Sequence, residues 1–171
     1  LLEARTTQSD IVVAMATRTT VSTPEADAVT VRPADTPRSV GQQYSSAVAP
    51  GTPLVVDKIV AVATSRDEAL STPALAAGKR IRRAGDYGEL HAQHIRRWAQ
   101  LWRLFHVNIE DGRQASLSLN LHTFHVLQSI VSTTPDLDAG VPARGLHGEG
   151  YRGHIFWDEL FVYPMLTLRQ P

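Results

Sequence analysis

The 171-residue sequence contains no cysteine, which excludes a disulfide scaffold, a zinc ribbon and a thiol nucleophile. It contains no run of about 18 apolar residues, so we expect no membrane-spanning helix. The start of the chain has neither a methionine nor the basic flank, apolar block and cleavage site of a signal peptide. We therefore expect the native start to lie upstream, and we predict a cytoplasmic location.

Basic and acidic side chains are equally numerous. The 17 basic and 17 acidic side chains give a formal net charge of zero, which argues against a nucleic-acid partner held by phosphate contacts. Because hydrophobic residues make up 43% of the chain and charged residues 20%, we expect a folded protein rather than a disordered one. The length fits one domain or pieces of two.

Histidine is absent before Asp86, and Tyr44 is the one aromatic residue there. A shift in composition this sharp predicts two halves of different structural class. The first half has the β-branched apolar runs of strands, interrupted by a stretch rich in proline and glycine. We predict strands over residues 11–16, 28–31 and 54–63 and a loop over residues 36–53. Asp57 and Lys58 predict a bulge or a tight bend in the last strand.

The second half has apolar residues at helical spacing. We predict helices over residues 74–84, 89–105, 114–131 and 154–168, and a glycine-rich loop over residues 135–153. The last helix is apolar nearly all round, which predicts burial in a larger assembly. Pro164 predicts a kink or an end within it. Trp98 and Trp102 share a face with other apolar residues, so we predict that they pack in a core.

Two motifs have both a functional and a structural interpretation. Gly148, Gly150 and Gly153 match the GxGxxG spacing of a dinucleotide-binding loop, but a proline-containing stretch precedes them and no acidic residue follows at the required distance. We therefore interpret them as a tight loop with special backbone angles. The histidine pairs at positions 91/94 and 122/125 could face one metal ion, but neither pair has a Glu-x-x-His partner. Structural histidines are the better interpretation.

The most informative stretch places two adjacent carboxylates in an apolar setting. Asp158 and Glu159 follow Trp157 directly, and Arg152 lies just upstream. Burying unpaired carboxylates costs several kcal/mol, so they must be paired, solvated by a cavity or protonated. An indole face beside carboxylate acceptors suits a sugar, because the ring covers the C–H face while the carboxylate accepts from hydroxyls. A sugar or polyol pocket and a structural ion pair with Arg144 or Arg152 both satisfy this requirement, and the residues alone leave both open.

Residues 141–160, VPARGLHGEGYRGHIFWDEL, strongly resemble the signature segment of glycoside hydrolase family 65. That family includes maltose, trehalose and kojibiose phosphorylases and acid trehalases. Shorter matches in the family's order extend the resemblance over nearly the whole chain, and they lie at residues 7–9, 63–67, 98–102 and 120–128. The long segment is highly specific, whereas each shorter match is weak by itself.

The resemblance implies a mixed fold with the end of an N-terminal β-sandwich, a helical linker and the first helices of an (α/α)6 barrel. It assigns residues 1–66 to the sandwich, residues 67–107 to the linker and residues 108–171 to the truncated catalytic barrel. Residues 104–112 and Ser118 depart from the family's usual pattern, which predicts weaker anchoring of the helices.

The resemblance also implies an inverting reaction on α-glucosidic disaccharides. A glutamic acid protonates the glycosidic oxygen while phosphate, or water in hydrolytic members, attacks the anomeric carbon. It implies that Trp157 and Asp158 hold the glucosyl unit, with Arg152 as a further substrate-binding candidate and Glu159 as an ion-pair partner. It places the general acid beyond Pro171, so no catalytic residue is assigned and we expect this chain alone to be inactive.

The expected partner is a disaccharide or glucose, with inorganic phosphate as co-substrate if the enzyme is a phosphorylase. We expect no cofactor, metal ion, nucleic acid or membrane, and a homodimer as in many family members. The alternative is a non-catalytic carbohydrate-binding or interaction module that uses Trp157 and Asp158 without chemistry. We prefer the enzyme interpretation because half a barrel encloses a sugar poorly.

Overall fold

The computed structural model describes residues 1–24, 29–67, 72–110, 112–130, 140–142, 144–146, 148, 150–151, 154–157 and 159–167. They fall into two compact units, Leu1–Ala92 and Gln93–Pro171. The strands are β1 (Leu2–Arg5), β2 (Val12–Ser22), β3 (Thr30–Pro33), β4 (Gln42–Ser45) and β5 (Val55–Thr64). The helices are α1 (Pro73–Arg83), α2 (Tyr87–Phe105), α3 (Arg113–Ser129) and α4 (Glu159–Thr167). The described part of the chain is thus sheet-rich first and helical afterwards, as the composition predicts.

The first unit contains a three-stranded antiparallel sheet in the order β1-β2-β5. Its two long strands confirm the strands predicted over residues 11–16 and 54–63, and β2 continues six residues further, to Ser22. Side chains alternate between the two faces, so Ala14 and Ala63 lie opposite each other on the buried face while Met15 lies opposite Val62 on the other.

The predicted bulge at Asp57 and Lys58 is wrong. Both residues continue the regular ladder, with Thr20 opposite Asp57 and Thr19 opposite Lys58. The ladder is unbroken because neither side chain enters the alanine core. Lys58 points to the exposed face, and Asp57 is only half-buried near the end of the strand.

Strands β3 and β4 form a two-stranded hairpin, of which the sequence predicts the first strand only. Strand β3 overlaps the strand predicted over residues 28–31 from Thr30 onward, and Ala28 lies outside the described residues. The loop predicted over residues 36–53 is wrong where it contains β4. Strand β1 is also not predicted. These short strands are polar or fully exposed, and their backbones pair without the apolar alternation on which sequence-based prediction depends.

Helix α1 packs on the sheet through alanines. Ala76 and Ala77 of the helix meet Ala14, Ala16 and Ala63 of the sheet in one buried cluster. Small side chains let the helix approach the sheet closely, but they bury little apolar area. The helix begins at Pro73 in the first position, and the Thr72 hydroxyl accepts the Leu75 N–H at 3.3 Å, so the predicted helix over residues 74–84 is confirmed.

Two arginines join the helix and the sheet by crossing in opposite directions. Arg18 extends from β2 and donates to the carbonyls of Ile81 (3.3 Å), Ala84 (3.0 Å) and Gly85, which end α1. A cation at this position also complements the helix dipole. Arg80 extends from α1 in the opposite direction and donates to the Val62 carbonyl of β5 at 2.6 Å. These contacts supplement the small alanine core.

The second unit has a core between α2 and α3. Phe105 and Leu127 are buried, and Trp98 and Leu101 pack against them. The Trp98 and Phe124 rings lie 4.7 Å apart. The predicted helices over residues 89–105 and 114–131 are therefore confirmed in type, and the second ends at Ser129, with Ile130 as its C-cap. The core role predicted for Trp98 is confirmed as well.

The segment between α2 and α3 is held by two polar side chains of α3. The Asn120 amide accepts the Val107 N–H at 3.0 Å and donates to the Val107 carbonyl at 2.8 Å, which imitates a pair of strand bonds. Ser116 accepts the Ile109 N–H at 2.9 Å. The weaker anchoring predicted from residues 104–112 and Ser118 is thus offset here by hydrogen bonds from side chains that do fit the segment.

Helix α4 starts at Glu159, so the predicted start at residue 154 is wrong by five residues. It continues through Pro164 to Thr167 and does not end at the proline, which removes a single helical hydrogen bond. Val162 packs against the core of the second unit, whereas Leu160 and Phe161 are exposed. Burial of this helix in a larger assembly stays a prediction, because the structure contains this chain alone. None of the described helices is long and apolar enough to span a membrane.

Overpacking the alanine core should destabilise the first unit. Ala77 is fully buried, so Ala77→Leu inserts three carbons where α1 lies close to the sheet, and we expect the free energy of unfolding to fall by about 1–3 kcal/mol. Urea unfolding followed by circular dichroism measures this change. Lys79→Leu, at an exposed position of the same helix, is the matched control. Equal stability of the two variants would contradict close packing at Ala77.

Candidate functional site

The segment before α4 is a series of tight turns. Gly145 and Gly150 have φ values of 66° and 144°, and Tyr151 also has a positive φ of 50°. The described residues at positions 140–142 and 144–146 contain no strand. The special backbone angles predicted for this loop are therefore present, and the dinucleotide interpretation of the glycine spacing fails because it requires a strand before the first glycine.

Glu159 connects this loop to the helix. Its side chain is buried, with 7% of the residue exposed, and its Oε1 accepts the Val141 N–H at 2.9 Å. A charged acceptor makes this a strong hydrogen bond, and it fixes the first turn of α4 to a backbone position 18 residues earlier. The carboxylate also contacts the Tyr163 hydroxyl. The predicted ion pair of Glu159 stays a prediction, because Arg152 lies outside the described residues.

Gly140 makes the close approach at Glu159 possible. A Cβ atom at this position would lie 2.4 Å from the His154 carbonyl oxygen and 2.6 Å from Glu159 Oε1. Both distances are far below ordinary van der Waals contact, so any other residue would push the loop away from the helix. The absence of a side chain is thus a requirement of the local packing.

Tyr163 lies one turn along α4 from Glu159. A hydrogen bond to the Glu159 carboxylate, together with burial and the negative charge of that carboxylate, raises the pKa of Tyr163 above its ordinary value of 10.0. Since the neutral phenol is the form that the fold favours, this contact stabilises the protein below the ordinary pKa. The contribution is lost as the pH rises through the raised value.

A cavity of about 360 Å³ lies between α3, the loop and α4. Its volume is near the lower end of the usual range for ligand pockets, roughly 300–1,000 Å³. Its lining includes Phe156, just before α4, and Glu159 and Val162 of the helix. Trp157 is not part of this lining.

Trp157 lies on an exposed apolar surface. The residue is 67% exposed, and its ring meets the edge of Phe161, itself 71% exposed, at 5.8 Å between centroids. Its carbonyl accepts the Leu160 N–H at 3.0 Å, so its backbone belongs to the turn that starts α4. The other predicted substrate-binding residues, Arg152 and Asp158, lie outside the described residues.

The histidines of the described residues form no metal site. No group of three or more histidine or acidic side chains in this part of the chain could hold an ion. Instead, His91 stacks on Tyr87 with 5.6 Å between ring centroids, and His94 meets the edge of Trp98 at 6.3 Å. The structural interpretation of these two histidines is the one that the geometry supports.

Comparison with known protein families matches both parts of the chain. Residues 1–101 match the model described as Glycosyl hydrolase family 65, N-terminal domain. Residues 120–171, which include Trp157, match the model described as Glycosyl hydrolase family 65 central catalytic domain. The chain belongs to glycoside hydrolase family 65. The resemblance noted in residues 141–160 is therefore confirmed, as is the order of a sheet-rich N-terminal region before the start of a catalytic domain.

Relatives of this family 65 chain include proteins named as disaccharide phosphorylases. An uncharacterised glycosyl hydrolase of Mycobacterium tuberculosis is 42% identical over the whole chain, which spans 13% of that relative's length. Kojibiose phosphorylase of Thermoanaerobacter brockii is 33% identical over 69% of the chain and 15% of the relative. Trehalose 6-phosphate phosphorylase of Lactococcus lactis is 41% identical over 43% of the chain and 10% of the relative.

The sequence of this family 65 chain did not reveal the contacts that hold the loop against α4. It placed Gly140 in a glycine-rich loop without a packing role, and it gave Tyr163 no role. The i, i+4 spacing of Glu159 and Tyr163 is a signal that could have revealed their contact once the helix start was known. No local pattern reveals the bond from Val141, because its donor and acceptor are 18 residues apart.

Removing the Glu159 carboxylate should lower both the stability of the fold and the pKa of Tyr163. Glu159→Ala leaves the half-buried Val141 N–H without its acceptor, which costs about 1–3 kcal/mol of unfolding free energy. In Glu159→Gln the negative charge is gone, so the pKa of Tyr163 should return toward its ordinary value. Urea unfolding measures the first effect, and phenolate absorbance at alkaline pH measures the second.

Two further variants complete this test. Tyr163→Phe identifies which absorbance step belongs to Tyr163, and Glu110→Gln removes an exposed carboxylate of the same unit and should change neither quantity. If Tyr163 titrates identically in Glu159→Gln and in the unmodified chain, the contact between the two side chains is not present in solution.

Proposed function

We propose that this chain is part of an enzyme that cleaves α-glucosidic disaccharides by inverting phosphorolysis or hydrolysis. The observation that carries the proposal is the match of residues 120–171 to the family's central catalytic domain. Relatives named kojibiose phosphorylase and trehalose 6-phosphate phosphorylase support disaccharides as the substrate class. With phosphate as the nucleophile the products are a sugar and a glucose 1-phosphate, and with water they are two free sugars.

Trp157 and Asp158 are the residues that we propose for the glucosyl unit, with Arg152 as a further substrate-binding residue. The exposed indole offers a flat apolar surface to the C–H face of a pyranose, and an adjacent carboxylate accepts hydrogen bonds from its hydroxyl groups. The turn of α4 fixes the backbone of Trp157. The described part of the chain provides one wall for the sugar, and the remaining walls belong to the rest of the enzyme.

The division of the chain follows from the same proposal. Residues 1–66 belong to an N-terminal β-sandwich, residues 67–107 to a helical linker, and residues 108–171 to the first helices of an (α/α)6 barrel. The general acid and the phosphate-binding residues lie elsewhere in the enzyme. The homodimer and the cytoplasmic location stay predictions of the sequence.

A non-catalytic carbohydrate-binding module is the second candidate. The 67% exposure of Trp157, with Phe161 at its edge, favours it, because an exposed aromatic surface can bind a sugar without any further wall. The two candidates share the ligand and differ in whether bond cleavage follows.

Sugar binding by the isolated chain should depend on Trp157. We expect glucose to change the tryptophan fluorescence with saturation at tens of millimolar, since a single stacked ring supplies only about 1–3 kcal/mol. Trp157→Ala should lose the response, and Ile155→Ala, at an equally exposed neighbouring position, should keep it. An identical response in Trp157→Ala, or none in the unmodified chain, would remove Trp157 from the sugar site.

Catalysis should require the rest of the enzyme. The isolated chain incubated with kojibiose and phosphate should release no glucose 1-phosphate, because a general acid contributes a factor of roughly 10²–10⁴. A chimera in which residues 120–171 replace the corresponding segment of the Thermoanaerobacter brockii kojibiose phosphorylase should retain phosphorolysis. In that chimera, Trp157→Ala should lower kcat/KM at least tenfold, which is about 1.4 kcal/mol. A folded chimera without activity would favour the non-catalytic module.

A further inference from the structure

The short segment that carries Trp157 is held at both of its ends by the same two residues. After the segment, Oε1 of Glu159 accepts the Val141 N–H at 2.9 Å. Before the segment, the His154 carbonyl lies so close to Gly140 that a Cβ atom at this glycine would overlap it. Residues 155–157 therefore lie between two contacts with the backbone of Gly140 and Val141.

Two hydrogen bonds join this segment to the first turn of α4. The Glu159 N–H donates to the Phe156 carbonyl at 3.1 Å, and the Leu160 N–H donates to the Trp157 carbonyl at 3.0 Å. These carbonyls belong to the peptide groups before and after the Trp157 Cα atom. Because both peptide groups are bonded to the turn that begins at Glu159, the direction of the Cα–Cβ bond of Trp157 depends on where Glu159 lies.

The two aromatic side chains of the segment have different surroundings. The Phe156 ring is half-buried, meets the Tyr151 ring at 4.8 Å between centroids and lines the cavity. The Trp157 ring is exposed and meets the edge of Phe161, on the next turn of α4, at 5.8 Å. A displacement of the first turn of α4 would therefore redirect the indole without a change in the rest of the core.

The residue at position 159 has to be a hydrogen-bond acceptor. An apolar side chain of similar size would fill the same buried space without the cost of removing a carboxylate from water. It would, however, leave the half-buried Val141 N–H without its partner. The start of a helix also favours a negative charge. The buried carboxylate of Glu159 is thus accounted for by its bond to a backbone position 18 residues earlier.

We propose that Glu159 is a positioning residue of the glucosyl subsite: its bond to the Val141 N–H, with the close packing at Gly140, sets the direction in which the Trp157 indole faces the sugar. Glu159 does not touch the sugar in this role. The inference rests on the proposed function, since the direction of the indole matters to the enzyme only if Trp157 binds the glucosyl unit. A purely structural role would change the stability of the fold and leave the indole where it is.

Fluorine NMR of the chain labelled with 5-fluorotryptophan separates these two roles. The chain contains three tryptophans, Trp98, Trp102 and Trp157, and Trp157→Phe identifies the resonance of the third. Glu159→Ala should shift or broaden the Trp157 resonance and leave the other two unchanged, because it releases the turn from Val141. Glu159→Gln keeps a carbonyl oxygen as the acceptor and should keep the resonance in place.

Leu127→Ala is the destabilising control. Leu127 is buried in the core of the same unit, and Trp98 packs against that core. A cavity at this position destabilises the fold. It should shift the Trp98 resonance and leave the Trp157 resonance unchanged, so a loss of stability by itself does not imitate the effect expected for Glu159→Ala.

The affinity for glucose supplies the functional measurement. Titration followed by the Trp157 resonance should give about fivefold weaker binding in Glu159→Ala, because a misdirected ring loses its stacking on the sugar. Glu159→Gln and Leu127→Ala should bind glucose as the unmodified chain does. If Glu159→Ala fails to fold, Gly140→Ala makes the same test from the other end of the segment, since its methyl group would overlap the His154 carbonyl.

Failure of the positioning role and failure of the proposed function give different results. An unchanged Trp157 resonance in both Glu159→Ala and Gly140→Ala would overturn the positioning role alone, and so would equal glucose affinities of Glu159→Ala and the unmodified chain. A Trp157 resonance that shifts in Glu159→Ala, while glucose affects no variant and not the unmodified chain either, would contradict the proposed sugar site itself and with it the role of Glu159 there.

Discussion

The buried carboxylate of Glu159 is the constraint on which the candidate site depends. It accepts the Val141 N–H and so fixes the start of α4 to the far end of the glycine-rich loop. Trp157 lies two residues before Glu159, and its carbonyl belongs to the same turn, so the direction of the indole follows from where α4 begins. Val162 then joins the helix to the core around Phe105 and Leu127. The backbone next to the exposed indole is thus held by one buried side-chain hydrogen bond and one apolar contact.

Much of the fold could be predicted because its long elements have clear periodicity. Helices α2 and α3 carry apolar residues at helical spacing, and β2 and β5 contain β-branched runs. The failures share a physical cause. Strand β4 forms through backbone pairing of a polar segment, and Asp57 stays in its ladder because the core it would disturb lies further along the sheet. Neither outcome is encoded in the local pattern of side chains.

The candidate site could be predicted only as far as local sequence patterns reach. The chemistry of residues 154–160 indicates a sugar or an ion pair, and a long specific segment indicates the family. The contacts that support the site join residues distant in sequence, or depend on the absence of a side chain at Gly140. A helix that started at residue 154 would also include residues 154–158, which precede α4 in the structure. In the structure the helix starts at Glu159, and Phe156 lines the cavity while Trp157 does not.

Both units have small buried cores, and they differ in the residues that form them. The first unit has a core of alanines, which bury little apolar area. Arg18 of the sheet adds hydrogen bonds to carbonyls at the end of α1, and Arg80 of the helix adds one to a carbonyl of β5. The second uses large aromatic residues but leaves Leu160 and Phe161 uncovered. Both units therefore expose several large apolar side chains. Contiguous exposed apolar surface is typical of sites that contact another part of a protein or a ligand. A chain that spans 13% of a relative's length is expected to show such surfaces, because the missing contacts belong to elements that such a relative contains and this chain does not.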